Sequence, residues 1–553
     1  MGVIVCFWLL SILRFFVIFW NMDKELVEIK ITFQFVVFYL KVKFANGHKR
    51  YNNKGEIVEQ YEPYFASGFD YEPDDVPKGV AIKMYYDALG RMVKTVNPDD
   101  SEQRVVFGIP EALNTPENYA PTPWERYHYS PNDLSGVTNP GVAPASGYWT
   151  PKSEMIDPLG NVIKTTEHQA HGSGSVYEDV VMQYEFDIKG QLVKSIDPYD
   201  RIISENKYSI AGQMLRTTHI DRGEQTLLAD ALNLPVITND AKQARSLFAY
   251  DNLQRPTFVW ARDNGNEQII KRQIMQYGDS VGYPNAENLN LKGKLYQHND
   301  ESGQLVYEAY DFKGNNLTFF RQVISDDALT PYQKYVVNWD DFIPDHLSEI
   351  KHNINQEYDA LNRIRKAVYP EDRNGQRKEM IPKYNKGGAL LSLKMDNTEY
   401  VKEVAYNARG QRILIAMGNK IMTRYAYDPE TFRVARQRSE LYAQEGQTYF
   451  PNGGVQHDLQ YSYDLEGTIK SINDAAPANN SAQGPGNLLR TFTHDPLRRL
   501  LSATGRESSN LYKQPSWDLN IRPHVRSVVG FCGAKTLQMS TPLFSANNTK
   551  TRK

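Results

Sequence analysis

One short phrase recurs along most of this chain: an aromatic residue, an Asp, two loosely chosen residues, a Gly, a polar or basic residue, then apolar residues. Its clearest copies are Tyr86-Asp87-Ala88-Leu89-Gly90-Arg91-Met92-Val93, Phe186-Asp187-Ile188-Lys189-Gly190-Gln191-Leu192-Val193 and Tyr463-Asp464-Leu465-Glu466-Gly467-Thr468-Ile469. Repetition on this scale points to a modular scaffold whose units bury their faces on one another, and away from a single pocket built once.

Each copy reads as strand, tight turn, strand, because aromatic and β-branched residues flank a short segment built from Asp and Gly. The Asp carboxylate can accept hydrogen bonds from nearby backbone amides, while Gly takes a positive φ at little steric cost, so the pair fixes where the chain reverses. Replacing Gly90 or Gly190 by Val should break its hairpin locally. The Tyr ring offers a large apolar face and a hydroxyl that needs a partner, which suits packing between stacked hairpins; 35 of the 553 residues are Tyr. Weaker copies lie at Tyr51 to Val58, Asp157 to Val162, Tyr208 to Leu215 and Tyr406 to Gly410. Others lose the glycine: Gln254, Asn362, Phe432 and Arg498 stand near its place. Asn tolerates the left-handed conformation and the other three do so poorly, so their turns are expected to differ in type. The repeat-turn positions are therefore Tyr86, Asp87, Gly90, Phe186, Asp187, Gly190, Tyr250, Asp251, Tyr310, Asp311, Gly314, Tyr358, Asp359, Tyr463, Asp464 and Gly467, all structural. A recurring Asp in a recurring turn has a sufficient local cause in turn capping.

Copies are separated by roughly twenty to seventy residues, so the rungs of the array are unequal. The fold class expected is all-β: stacked hairpins forming a long curved or spiral sheet, a partial hollow shell. Three regions follow. Residues 1–44 are an apolar N-terminal segment, 45–510 the repeat region, and 511–553 a divergent, disordered tail. Residues 2–20 are almost wholly apolar but carry Arg14, which costs about 2.5–3.5 kcal/mol at the centre of a membrane span. They lack the basic leading region and small-residue cleavage site of a secretory signal. A gene-model artefact, a signal anchor and a buried β segment all stay open for them, and residues 31–40 are too short to span. Within the repeat region, residues 97–149 and 329–352 are insertions suited to capping a β surface, and 475–486 read as a surface loop.

A formal net charge of −3 gives no global electrostatic case for nucleic acid. Cys6 and Cys532 sit near opposite ends and form neither a disulfide framework nor a metal-ligand spacing. Asn316, Asn479 and Asn547 are glycosylation sequons that matter only in a chain secreted by a eukaryote.

The residues resemble the YD-repeat, or Rhs-repeat, proteins, and the likeness runs over most of the chain. Within that group they look most like the shell-forming B and C components of bacterial insecticidal toxin complexes. The likeness rests on Tyr86 to Pro98, Ser101-Glu102-Gln103-Arg104-Val105-Val106-Phe107-Gly108-Ile109-Pro110, Pro121-Thr122-Pro123-Trp124-Glu125, Tyr250-Asp251-Asn252-Leu253-Gln254-Arg255-Pro256, Asp495 to Glu507, and Pro515-Ser516-Trp517-Asp518. The repeats also resemble those of metazoan teneurins. The resemblance implies a hollow β shell that encloses an unfolded toxic polypeptide and works by exclusion. It also implies a self-cleaving Asp-Pro-x-Gly segment followed by a toxin domain. Neither is recognisable here, since Asp157-Pro158-Leu159-Gly160 lies far upstream among the repeats. After about Asp518 the text departs from the family pattern, so a truncated copy is expected.

Chemistry-bearing constellations are weak. His168 and His171 beside Glu167 have metal-pair spacing without a third ligand. Asp263 to Glu267 lacks the ligand order of a calcium loop. Asp340 and Asp341 near Asp345 and His346 have no nucleophile or pocket to serve. No catalytic residue, cofactor or metal is expected, and the chain reads as a non-enzymatic scaffold. Its partners would be another shell subunit or an encapsulated polypeptide; carbohydrate would be the ligand if the chain is instead a cell-surface adhesion module. Nucleic acid is not expected, and membrane attachment would rest on residues 3–20 alone. The expected location is secreted or at the cell surface.

Overall fold

The computed structural model describes residues 42–45, 47–67, 79–139, 149–169, 179–279, 282–329, 337–341, 346–476, 488–495, 497–505 and 535–538. Outside them lie the apolar segments at 2–20 and 31–40, both cysteines, His171, Asp345, Asn479, Asn547, residues 477–487 and Trp517.

Among the described residues strand accounts for 56% and helix for 2%, so the all-β expectation holds. Thirty-three strands among the described residues join into one long antiparallel sheet. Neighbours in sequence are neighbours in the sheet: Ala81–Tyr86 pairs with Met92–Val96, which pairs in turn with Glu102–Pro110. The phrase dictates this local geometry. Its Asp starts a tight turn, the left-handed residue three positions later adds one residue to one strand, and the register shifts at the aromatic. That shift occurs at Tyr85/Tyr86, Glu185/Phe186, Ala249/Tyr250, Glu357/Tyr358 and Ser462/Tyr463. It is the bulge that accompanies a three-residue hairpin loop, and it strengthens the local twist.

The chain divides into two compact units. One draws its described residues from 1–155, 166–180 and 404–553, the other from 156–165 and 181–403. Among the described residues, fully buried apolar side chains gather in several small clusters. In the first unit these are Val106, Tyr129 and Leu134, and Ala416, Met422 and Tyr442. In the second they are Ala286, Leu291 and Tyr310, and Ile324, Val337 and Trp339. Dispersed cores are what a repeat architecture requires, since each hairpin buries its face on the next.

The insertion at 97–149 forms a long hairpin, Glu102–Pro110 against Tyr119–Tyr129. Gly108 sits at its bulge, where a Cβ would lie 2.4 Å from the Ala120 carbonyl oxygen, so only glycine lets the strands approach this closely. The segment that follows, residues 131–135, is buried throughout and leads into the short helix Ser135–Thr138. In the insertion at 329–352, Trp339 packs on Ile324 and Val337, and Asp326–Leu329 is a four-residue helix.

Candidate functional site

The repeated turn is a compact hydrogen-bonding device. The Asp87 amide donates to the Arg91 carbonyl (2.9 Å) and the Gly90 amide to the Asp87 carbonyl (3.1 Å). Asp87 Oδ1 accepts the amides of Leu89 and Arg91, each at 2.9 Å, and Oδ2 accepts Arg91 Nε at 2.8 Å. The other copies repeat the pattern. Asp187 accepts the amides of Lys189 and Gln191, Asp251 those of Leu253 and Arg255, and Asp311 those of Lys313 and Asn315. Asp359 accepts the amides of Leu361 and Arg363, and Asp464 those of Glu466, Gly467 and Thr468. Hydrogen bonds to the ionised form favour it. The Arg91 amide, with the Arg91 side chain, holds Asp87 below the usual carboxylate range, and the Arg363 side chain does the same for Asp359.

The glycine is less essential than its recurrence suggests. Gln254, Asn362 and Arg498 adopt φ of +62°, +61° and +61° and close the same turn, with the Gln254 amide donating to the Asp251 carbonyl at 2.9 Å. The expectation that Gln and Arg change the turn type is therefore corrected. The carboxylate's backbone bonds, reinforced by Arg255 Nε on Asp251 and Arg499 Nε on Asp495, hold the left-handed residue in place. Phe432 does differ: the Asp428 amide reaches the carbonyl of Arg433, one residue further on than in the other turns. The structure also uses this turn where sequence reading found no phrase, at Asp197, Asp230, Asp240 and Asp372. These copies lack the preceding aromatic, and the remaining signal is an Asp followed three positions later by Asp, Asn, Gln or Gly.

The phrase tyrosines bond successive hairpins together. Hydroxyls of Tyr86, Tyr208, Tyr250, Tyr310 and Tyr463 donate to the carbonyls of Ile57, Leu192, Pro235, Leu295 and Val434, at 2.6 to 2.9 Å. Every acceptor opens the second strand of the preceding hairpin. Tyr358 instead donates to Gln356 within its own strand, and Phe186 has no hydroxyl to give.

In the first unit the insertion meets a late repeat. Asn132 Nδ2 donates to Asp464 Oδ2 at 2.9 Å, and Arg433 donates to the carbonyls of Asp464 and Leu465, each at 2.7 Å. Beside Asn132, Asp133 is 3% exposed and accepts the amides and hydroxyls of Ser130 and Thr150. Burial pushes the Asp133 carboxyl upward against those four bonds. A cavity of about 1180 Å³ lies here, with Arg104, Lys152, Arg409, Arg433, Asp133 and Asp464 on its wall. His128 also faces it, held below the usual imidazole range by burial although Glu154 is 3.5 Å away. The polar wall has mixed charge.

Local contacts account for the described acidic residues of two constellations noted in the sequence. Asp263 pairs with Arg272 at 3.1 Å, and Glu267 accepts the Asp263 amide, which makes a turn. Asp340 pairs with Lys271, and Asp341 accepts the Asn338 amide group. Among the described residues no group of three or more His, Cys, Asp or Glu could hold a metal ion. His168 spends both ring nitrogens on protein partners, Ser153 Oγ and Asp179 Oδ2, each at 3.0 Å. Sequence reading did not find this alignment, because nothing in the spacing of the three residues marks it.

No family model matches the chain. It is homologous to two toxin subunits of Yersinia entomophaga. YenC1 is 25% identical over 407 residues, covering 66% of this chain and 38% of that protein, and YenC2 is 27% identical over 402 residues, covering 66% and 39%. The chain thus spans about two fifths of the length of the curated relatives it matches. Among solved structures, TcdB2-TccC3 superposes with a TM-score of 0.73 at 22% identity, over 86% of this chain and 22% of that one. A Tc holotoxin pore of Photorhabdus luminescens gives 0.72 at 23% identity, over 85% and 21%. The sheet of this chain therefore has the fold of toxin-complex shell proteins.

Proposed function

We propose that this chain is a shell scaffold of the toxin-complex type: a non-enzymatic YD/Rhs-repeat array that acts by presenting a stiff, polar β wall to another polypeptide. One observation carries the reading. The homology to YenC1 and YenC2 coincides with a turn lattice whose Asp carboxylates accept backbone amides and most of whose Tyr hydroxyls donate to backbone carbonyls. A wall built this way leaves its recurring polar groups satisfied and gives a non-native cargo little to fold against. The partner is then a second shell subunit or the enclosed polypeptide, in keeping with the assemblies named among the solved structures. The organisation proposed is a repeat region over 45–510 flanked by segments of different character, in a secreted protein. Among the described residues no helix is long and apolar enough to cross a membrane.

The test is co-expression with a B-type toxin-complex subunit, followed by size-exclusion chromatography and electron microscopy. Stable co-elution in one particle is the expected result. A chain that stays monomeric beside the partner and instead binds immobilised glycans would favour the adhesion reading.

A further inference from the structure

Ser153, His168 and Asp179 form a hydrogen-bonded chain in the first unit. Ser153 Oγ lies 3.0 Å from His168 Nε2, and His168 Nδ1 lies 3.0 Å from Asp179 Oδ2. The partners settle the tautomer of the neutral ring. An ionised carboxylate only accepts, so Nδ1 carries the proton toward Asp179, which leaves Nε2 to accept from the serine hydroxyl. A base aimed at a hydroxyl, itself oriented by a carboxylate, is the arrangement that activates a serine nucleophile.

The surroundings fix this arrangement. Ser153 stands in the strand Lys152–Ile156, directly opposite Tyr127. The Tyr127 ring stacks on His168 with planes 11° apart. Burial pushes the Tyr127 hydroxyl above the ordinary tyrosine value. The Asp179 carboxylate is anchored a second time by the Gln169 amide at 2.9 Å. Ser153 is 9% exposed and the His168 and Asp179 side chains are 15% and 38% exposed, so only a small reagent suits the site.

We propose that Ser153 is a base-activated modification site that accepts an acyl or phosphonyl group from a small activated electrophile, stoichiometrically and without turnover. In the step, the Ser153 Oγ–H proton passes to His168 Nε2 and a new bond forms from Oγ to the carbonyl carbon or phosphorus. The bond to the leaving group breaks, and that group departs with the electron pair. The shell reading does not require this chemistry, and a wall modified at one serine remains a wall.

The experiment treats the full chain with a fluorophosphonate probe, in which the P–F bond breaks and fluoride leaves, and maps adducts by peptide mass spectrometry. Ser153 should label at least tenfold faster than any serine of the guanidinium-unfolded chain. Labelling at this position should vanish in Ser153→Ala and slow by roughly 10²–10⁴-fold in His168→Ala and Asp179→Asn. His168→Gln provides a second test if the Ala variant fails to fold, with thermal melting as the control. No adduct at Ser153 in the folded protein, or equal labelling in folded His168 variants, overturns the proposal.

Discussion

At a turn of this protein the carboxylate does more than the glycine. Asp251 collects two backbone amides and the Arg255 side chain, and the turn closes although Gln254 must sit at φ +62°. The left-handed region costs an L-residue roughly 1–2 kcal/mol, part of which glycine returns through its freer unfolded chain. Gln254→Gly should therefore stabilise the protein, by up to roughly 1 kcal/mol, read as a higher urea midpoint at unchanged slope. The same carboxylates set the response to acid. Asp87, Asp157, Asp251, Asp311 and Asp359 are all held below the ordinary range by bonds to their ionised forms, with desolvation opposing. The unfolded chain then binds protons at a higher pH than the folded one. The stability these groups contribute is complete above the ordinary carboxylate pKa and is lost as pH falls through their folded values. Asp133, pushed upward by burial, acts in the opposite sense, but it is one group against many. Melting temperature should ease downward from pH 7, because burial makes His128 harder to protonate in the folded chain, and decline more steeply below about 4, less so in high salt. A melting temperature that rises through that acid range would contradict the turn-lock account.

The hairpin is the element at which sequence and structure correspond best. Tyr86 to Val93 reads as strand, turn, strand because Asp and Gly chemistry is local, and the structure places Ala81–Tyr86 and Met92–Val96 around that turn. Legibility fell wherever the cause was not local. Asp197 and Asp240 make the same turn after Ile196 and Asn239, so a search keyed to an aromatic passed over them. The destination of the tyrosine hydroxyls was equally hidden, because the acceptor belongs to the preceding hairpin. Tyr310, 7% exposed, donates to the Leu295 carbonyl at 2.6 Å and packs in the cluster with Ala286 and Leu291. Tyr310→Phe keeps the ring and leaves that carbonyl without its donor, which should cost about 1–2 kcal/mol. Amide exchange should quicken in the Leu295–Asp300 and Gly303–Tyr310 strands before it does elsewhere in the second unit. Phe186 fills the same phrase position without a hydroxyl, so Phe186→Leu should lose packing alone and leave no carbonyl newly unpaired.

On the scale of the molecule, repetition explains how the chain builds a sheet but not what ties distant repeats together. In the first unit one such tie is Asn132 to Asp464, whose partners are 332 residues apart in sequence and have no pattern in common. It could not be read from the text, since Asn132 belongs to an insertion and Asp464 to a repeat turn already occupied with its own amides. The physics of the contact is nevertheless specific. Asn132 is 6% exposed and donates to a carboxylate, and a charge-assisted bond between groups this sheltered is stronger than a neutral surface pair. Asn132→Ala should cost about 1–2 kcal/mol. Asn132→Asp has nearly the same shape but sets a second carboxylate against Asp464, so it should cost more at neutral pH and recover part of the loss on mild acidification. Hydrogen exchange followed along the chain gives the decisive comparison. Both variants should loosen the 130–138 and 464–468 segments together while the turns at Asp251 and Asp359 keep wild-type protection. Loosening of the 130–138 segment alone would mean that the insertion merely rests on the repeat, and that the late hairpins hold their positions without it.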